Sequence, residues 1–312
     1  MFEKRRLSTL VRGGAGIVCA ALAVLAASPA QAANEVQVYG IANFGGSNQC
    51  GNSDMTHSVH TETAATFRAT FDMYKLAMLW DETATLNNSN AKGSLFQDAS
   101  KKASGADTTA NAGGDEADVI YVHTHGGHTG PTYDLSVFPP KASGPAYSSL
   151  SMGNASFACS VRTDSDMLWG NTGGDLDIAV IKACQSGDYG VWKFGGYSSM
   201  KTSTSSLTMW NAFHGDSSCG GHVTDYVGDY AATSMNNGVG ENWIDEAYDG
   251  AFWPWEDDDC PVSIVWGSSK TARKNMYENG GFRDRKDTGT KSGSTYFYVA
   301  GCDPDHGSKL PE

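Results

Sequence analysis

Two stretches of the chain decide its fold, DVIYVHTHGGH at residues 118–128 and DIAVIKACQSGD at residues 177–188. Each is a short apolar run, rich in β-branched residues, that ends in a reactive side chain near glycine: His125 in the first and Cys184 in the second. Such runs are typical of buried strands. Ligands bind at the carboxyl ends of parallel strands in an open α/β sheet, so the two runs predict one site that contains both side chains.

Strand-like and helix-like segments alternate around these two runs. The helix-like segments carry apolar residues at a spacing of three to four, and the strand-like segments are short and apolar. This alternation predicts an α/β fold, namely a three-layer αβα sandwich whose sheet is mostly parallel and covered on both faces. The further predicted strands are residues 36–44, 76–80, 207–213, 262–266 and 295–300, and the predicted helices are residues 57–74, 223–235, 241–252 and 271–278.

Two segments lack this regular pattern. Residues 87–114 are polar and rich in Ser, Ala and Gly, which predicts a long surface excursion. Residues 129–175 contain several prolines and two short β-like pieces, at 133–138 and 156–161, which indicates an insertion over the site. No linker divides the chain, so a single α/β domain is expected over residues 33–312.

Residues 1–32 have the pattern of a bacterial secretory signal peptide. Four basic residues are followed by an apolar run and by Ala30-Gln31-Ala32, a small-x-small cleavage site. The apolar run is too short to span a bilayer. We therefore predict a secreted or periplasmic protein with no membrane span.

The chain is acidic, with a net charge of −13. Removal of the signal segment takes away four basic residues and one acidic residue, which brings the net charge to −16. An acidic surface disfavours nucleic acids and anionic membranes as partners. The expected partner is instead a peptide or protein substrate.

Six of the seven cysteines follow the signal segment. In an oxidising compartment an even number suggests up to three disulfides. Cys260 and Cys302 are the preferred pair, because both flank predicted strands near the C-terminus. A disulfide is also an alternative for Cys184, and if Cys184 is a nucleophile instead, one other cysteine is left unpaired.

The residues at the two strand ends suit a thiol hydrolase. Such an enzyme needs a thiolate, an imidazole that takes and returns a proton, and backbone N–H groups for the oxyanion. Cys184, with Gly187 three residues later, can present its sulfur on a tight turn, and the glycines after His125 leave backbone donors exposed.

These strand ends resemble a known class of enzymes. An apolar strand ending in His-Gly, followed by one ending in Ala-Cys-x-Ser-Gly, is similar to the caspase, legumain and gingipain class of cysteine peptidases. The resemblance implies a caspase-like α/β fold with a Cys/His dyad on adjacent parallel strands. It implies that Cys184 is the nucleophile and His125 the general base, with the N–H groups of Gly126 and Cys184 as oxyanion donors. No cofactor is expected for this chemistry.

A second resemblance covers more of the chain. The succession VHTHGG, WGN, DLDI, ACQ and FHG resembles a family of exported microbial proteins of unknown function. It implies that His125, Asn171, Cys184 and His214 converge, and Trp169 of the same WGN stretch is a further candidate for binding. No activity follows from it, so a non-catalytic binding protein on the same fold remains an alternative.

Zinc is the other alternative. His123-x-His125-x-x-His128 resembles the His-x-His-x-Asp-His motif of metallo-β-lactamase-fold hydrolases, which bind zinc through imidazole nitrogens. Gly127 stands where that motif has Asp. His123 and His125 point to the same face of a strand, whereas His128 lies in the loop that follows.

Other residues are candidates for binding or orientation. His214 could orient the catalytic imidazole, and Asp188 could do the same or accept a basic substrate side chain. His57 and His60, at the start of a predicted helix, are interpreted as solvated or capping residues. The sequence thus predicts a secreted cysteine peptidase-like hydrolase that acts on peptide or amide bonds.

Overall fold

The computed structural model describes residues 34–46, 48–51, 55–78, 80–108, 113–130, 132–134, 141–171, 174–249 and 259–312. The strands in these ranges are β1 (Asn34–Gly40), β2 (Trp80–Asn87), β3 (Val119–His123), β4 (Gly126–Thr129), β5 (Thr132–Asp134), β6 (Lys141–Ser143), β7 (Tyr147–Ser151), β8 (Ser160–Arg162), β9 (Ile178–Lys182), β10 (Met209–Phe213), β11 (Pro261–Gly267) and β12 (Gly293–Tyr298). The helices are α1 (Val59–Met78), α2 (Tyr189–Lys193), α3 (His222–Thr233), α4 (Val239–Asp249) and α5 (Lys270–Asn279). The predicted signal peptide lies outside the described residues.

Seven strands form the central sheet, in the order β12-β11-β10-β9-β3-β1-β2. The pairs β2-β1, β1-β3, β3-β9 and β9-β10 are parallel, whereas β10-β11 and β11-β12 are antiparallel. The expectation of an α/β fold with a mostly parallel sheet is therefore confirmed. The two runs that decide the fold are β3 and β9, which pair with each other at the centre of the sheet.

Both faces of the sheet are buried. All five residues of β3 and all five of β9 are buried, which explains why these segments are continuously apolar rather than alternating. Helices α1, α3, α4 and α5 cover one face with a core that contains Val119, Tyr121 and Val180. The other core contains Ile120 and Ile181 and is closed by α2, by 3₁₀ turns and by strands β7 and β8. The four longest described helices therefore share one face instead of dividing between two.

Several elements differ from the expectation. Residues 76–78 extend α1, and the following strand is Trp80–Asn87. The segment 87–114 is not a simple surface excursion, since the 3₁₀ turn Gly93–Phe96 is buried and Phe96 belongs to the core. Its apolar side chains are too few and too irregular in spacing to produce a periodic signal. Residues 129–175 add four short strands: β7 and β8 pair with β4 in one small sheet, and β5 and β6 form another.

Two disulfides connect distant parts of the chain. Cys260 and Cys302 are bonded as predicted, and Cys50 is bonded to Cys159. Cys184 and Cys219 are free. Two disulfides are consistent with an extracellular or periplasmic protein. None of the helices in the described ranges combines the length and the apolar composition that crossing a bilayer requires.

Candidate active site at the carboxyl edge of the sheet

The two strand ends lie side by side because β3 and β9 pair in register. His123 is opposite Lys182, and the Thr124 amide donates to the Lys182 carbonyl over 3.1 Å. Beyond the strands, Gly126 is against the backbone of Cys184. A Cβ on Gly126 would overlap the Cys184 carbonyl oxygen and lie 3.1 Å from the Ala183 Cβ. Glycine is therefore required at this position for the two chain segments to approach.

Cys184 lies on a strained turn that is fixed by the end of β10. Gln185, the next residue, has a φ of 57°, in the left-handed region that a residue with a side chain seldom adopts. Its amide donates to the Gly215 carbonyl over 2.5 Å. The Cys184 thiol is partly exposed, and the amide of Ser217 points at its sulfur over 3.4 Å.

His125 is held by one ring nitrogen. Its Nε2 is 2.7 Å from the carbonyl oxygen of Met55. A carbonyl only accepts, so Nε2 carries the proton and Nδ1 is left with the lone pair. Burial lowers the pKa of His125, and the Met55 carbonyl opposes that shift. The described residues contain no hydrogen bond between His125 and Cys184; the hydrogen bonds of the Cys184 sulfur are with Ser217.

Four histidines form one cluster of ring contacts beside this turn. The ring centroid of His60 lies 4.1 Å from that of His123, 5.1 Å from that of His125 and 5.6 Å from that of His57. The cluster is called here the histidine cluster. His57 is exposed, but His60 and His123 are buried. Burial lowers the pKa of His60 to about 4 and holds that of His123 well below its usual range.

Three residues of this region have the donor atoms of a metal site. One ligand atom from each of His60, His123 and Cys219 lies within 4.8 Å of the other two. In the part of the chain that the structure describes, no other group of three meets this distance. The structure therefore assembles a different set from the one that the spacing of His123, His125 and His128 suggested.

His128 belongs to a second group of residues, together with Gln185, Asp188 and His214. Its Nδ1 donates to the side-chain oxygen of Gln185 over 2.9 Å, and its Nε2 is 4.0 Å from Asp188. His214 is buried, with Nδ1 3.0 Å from Asp188 and Nε2 2.6 Å from the Ser308 carbonyl. Burial opposes ionisation of Asp188, but the hydrogen bond with His214 and the proximity of His128 outweigh it and lower its pKa.

A cavity of about 370 Å³ opens next to this second group. His128, Asp188, Phe194 and His306 are among its lining residues. Asp188 also caps the short helix α2, by accepting from the amide of Val191. Asp188 and His214 therefore pair with each other at the wall of this cavity, and no hydrogen bond or ion pair in the described ranges connects either of them to His125.

Two residues of the predicted site lie elsewhere. Trp169 is fully buried in the core, where its ring packs 5.6 Å from that of Trp210. Asn171 precedes β9, whereas Cys184 follows it, so the length of the strand separates them. The Asn171 side chain donates to Asp98 and to the Leu168 carbonyl, each over 2.6 Å. The WGN stretch is thus part of the opposite edge of the sheet.

The sequence reasoning missed the presence of Cys219 and Ser217 at this site and the burial of His60. The His57-x-x-His60 pair was the available signal, and its interpretation as solvated or capping is wrong for His60, which is 0% exposed. Nothing in the sequence around Cys219 distinguished it from the other five cysteines as a residue of this site. Its position depends on the loop after β10, where Asp259 accepts from the Ser218 amide over 2.5 Å and from the Ser218 hydroxyl over 2.8 Å.

No protein-family model matches the chain, and no curated protein is significantly similar to it in sequence. A functional hypothesis therefore depends on the chemistry of the strand ends.

Proposed function

We propose that the protein is a cysteine hydrolase that cleaves peptide or amide bonds, with Cys184 as nucleophile and His125 as general base and acid. The single observation that carries the proposal is the state of Cys184. It is a free, partly exposed thiol in a chain that has two disulfides, and it lies on a strained turn whose backbone is against Gly126, the residue after His125. A left-handed backbone conformation costs a residue other than glycine about 1–3 kcal/mol and persists only where surrounding contacts hold it in place. Such strained residues cluster at functional sites.

The reaction uses the free Nδ1 of His125. His125 takes the proton of the Cys184 thiol, and the sulfur attacks the carbonyl carbon of the substrate to form a C–S bond. His125 then gives that proton to the leaving nitrogen as the C–N bond breaks, which leaves a thioester on Cys184. Water attacks the thioester with His125 as base, and the acid product and the free thiol are released.

Three local features support these roles. The Met55 carbonyl fixes the tautomer of His125 that has a basic Nδ1. The Ser217 amide points at the Cys184 sulfur. The contact of Gly126 with the Cys184 carbonyl keeps the two strand ends adjacent, as the dyad of the caspase, legumain and gingipain class requires. The neighbouring cavity, with Asp188 and Phe194 at its wall, is the proposed place for a substrate side chain.

Cleavage of a mixed peptide library, read by mass spectrometry, tests the proposal. Cys184→Ser is expected to abolish cleavage, and His125→Ala is expected to lower the rate by about 10²–10⁴-fold, the usual contribution of general acid–base catalysis. His57→Ala is the matched control, because His57 is an exposed member of the same cluster; it is expected to leave the rate unchanged. Cleavage that survives Cys184→Ser would refute the proposal.

Alkylation by iodoacetamide gives a second readout that needs no substrate. The Cys184 thiol is expected to react faster than that of Cys219, because burial raises the pKa of Cys219. This advantage is expected to be lost in His125→Ala and kept in His57→Ala. Equal rates for the two cysteines in the unmodified protein would contradict an activated Cys184.

A further inference from the structure

We propose that His60, His123 and Cys219 bind a divalent transition-metal ion of the zinc class, at a site separate from the Cys184–His125 pair. The proposal is independent of the hydrolase function, because neither Cys184 nor His125 is a ligand. Two imidazoles and one thiolate are a donor set that zinc prefers.

The spacing of the donor atoms suits tetrahedral coordination. The His60 Nε2 lies 3.7 Å from the Cys219 Sγ. Zinc binds nitrogen at about 2.0–2.1 Å and sulfur at about 2.3 Å, so a tetrahedral site places adjacent N and S ligands roughly 3.5 Å apart. The existing separation needs an adjustment of only a few tenths of an ångström, and all three donor atoms already lie within 4.8 Å of one another.

Both histidines are oriented as metal ligands are. The His60 Nδ1 is 2.6 Å from the Ile41 carbonyl, which only accepts, so the proton is on Nδ1 and the lone pair on Nε2. The His123 Nδ1 is 2.6 Å from the Thr63 hydroxyl. That hydroxyl gives its own hydrogen to the Val59 carbonyl over 3.0 Å, so its oxygen accepts from His123. A partner that holds the N–H opposite the metal is the usual arrangement around ligating histidines.

The three ligands come from three different elements, so a bound ion would also stabilise the fold by connecting them. His60 is in the first turn of α1, His123 ends β3, and Cys219 is in the loop between β10 and α3. Lys182, a buried cation paired with His123 in the register of β3 and β9, has its Nζ 3.8 Å from Asp259, so the carboxylate compensates its charge. A bound ion would connect these elements at the point where the buried imidazoles of His60 and His123 are in contact.

A site with three protein ligands leaves a fourth position for water or another small ligand, as in catalytic zinc sites. The Ser217 carbonyl oxygen lies 3.8 Å from the Cys184 Sγ and 3.9 Å from the Cys219 Sγ, so the proposed metal site and the Cys184 turn are neighbours.

Titration with Co²⁺ after chelator treatment tests the site. A cobalt ion bound to a thiolate has a near-ultraviolet charge-transfer band, which reports sulfur coordination without any need for activity. The unmodified protein is expected to bind one ion per chain with this band. Cys219→Ser is expected to lose the band, whereas Cys184→Ser, which changes the neighbouring free thiol, is expected to keep it. Elemental analysis for zinc provides the matching stoichiometry.

Thr63→Val tests the orientation of His123 with little change in side-chain shape. It removes the acceptor of the His123 N–H, and we expect about 10–100-fold weaker metal binding, the usual effect of losing such a partner. Thermal unfolding monitors whether each variant folds. If His60→Ala does not fold, Cys219→Ser and Thr63→Val still decide the matter. Substoichiometric metal in the unmodified protein, or a cobalt band that depends on Cys184 instead of Cys219, would overturn the proposal.

Discussion

Ser217 lies between the two free cysteines and separates two environments. Cys184 is partly exposed on its turn and receives the Ser217 amide. Cys219 faces the buried His60, and burial raises its pKa. The two thiols are therefore expected to do different chemistry although they are neighbours, with nucleophilic attack proposed for Cys184 and metal binding for Cys219. The even number of cysteines, which seemed an objection to a free nucleophile, is satisfied by two disulfides and these two thiols.

Gly126→Ala is expected to destabilise the protein and to disturb the site. The added methyl group would overlap the Cys184 carbonyl oxygen, so the two strand ends must separate. We expect a loss of about 1–3 kcal/mol in the free energy of unfolding, as for other overpacked positions, together with slower alkylation of Cys184. Urea unfolding and iodoacetamide labelling measure the two effects.

Gly127→Ala is the matched control for that substitution. Its new methyl group would meet nothing closer than the Ser149 hydroxyl at 3.7 Å, an ordinary contact. The free energy of unfolding is expected to change by less than about 0.5 kcal/mol. If the two variants are equally stable, the close approach of Gly126 to Cys184 is not a constraint on this site.

At the scale of elements, β3 and β9 are connected at both ends. The site occupies their carboxyl ends, and Arg285 connects their amino ends. The Arg285 guanidinium lies 2.9 Å from Asp118, which precedes β3, and 2.6 Å from Asp177, which precedes β9. Burial raises the pKa of Asp177 to about 7, and the charge of Arg285 opposes that rise. The positions of His125 and Cys184 therefore depend partly on an ion-pair network at the other end of the strands.

Arg285→Met is expected to lower the free energy of unfolding by about 3 kcal/mol at neutral pH, because it leaves two half-buried carboxylates without their ion-pair partner. A carboxyl whose pKa is raised by folding stabilises the fold below its unfolded pKa and loses that contribution as the pH rises through the folded value. Without Arg285 the pKa of Asp177 rises further, so the deficit is expected to be larger at about pH 8 than at about pH 5.

Urea unfolding at the two pH values measures this difference. Arg283→Met is the control, because Arg283 is exposed and only two residues away. A deficit that is independent of pH would show that Arg285 contributes through its apolar contacts instead of its charge.

At the scale of the whole molecule, the two disulfides close loops of very different length. Cys50 and Cys159 are 109 residues apart in sequence, and Cys260 and Cys302 are 42 apart. In the chain-entropy model, replacing both cysteines of a pair by serine costs about 5 kcal/mol for the longer loop and about 4 kcal/mol for the shorter one. Urea unfolding of the two double variants is expected to show losses in that order.

The prediction depends on the assignment of two disulfides and two free thiols. Counting the reactive thiols of the denatured, unreduced protein checks that assignment. Once residues 1–32 are removed, two reactive thiols per chain are expected, from Cys184 and Cys219. A count of zero would mean that these two cysteines form a third disulfide, and both the nucleophile and the metal site would then be wrong.

The sequence by itself determined the parallel centre of the sheet. The apolar runs of β3 and β9 are local patterns in the sequence. A short run that is apolar at every position is typical of a strand buried on both faces, as in the centre of a parallel sheet. The same patterns predicted the helices α3, α4 and α5 and the outer strands, and the position of Cys260 and Cys302 beside strands predicted their bond. Irregular segments such as residues 87–114 gave no comparable signal, because their burial comes from contacts with distant strands.

Only the tertiary structure decided which side chains meet. His60, His123 and Cys219 come from elements that are far apart in sequence, and no spacing rule connects a helix start, a strand end and a loop. The motif HTHGGH suggested that its own three histidines act together, but after β3 the chain enters β4, which pairs with β7, and His128 there contacts Gln185 and Asp188. Hydrophobic periodicity is a property of neighbouring residues and can be recognised in the sequence. The site depends instead on the loops that bring the ends of different elements together.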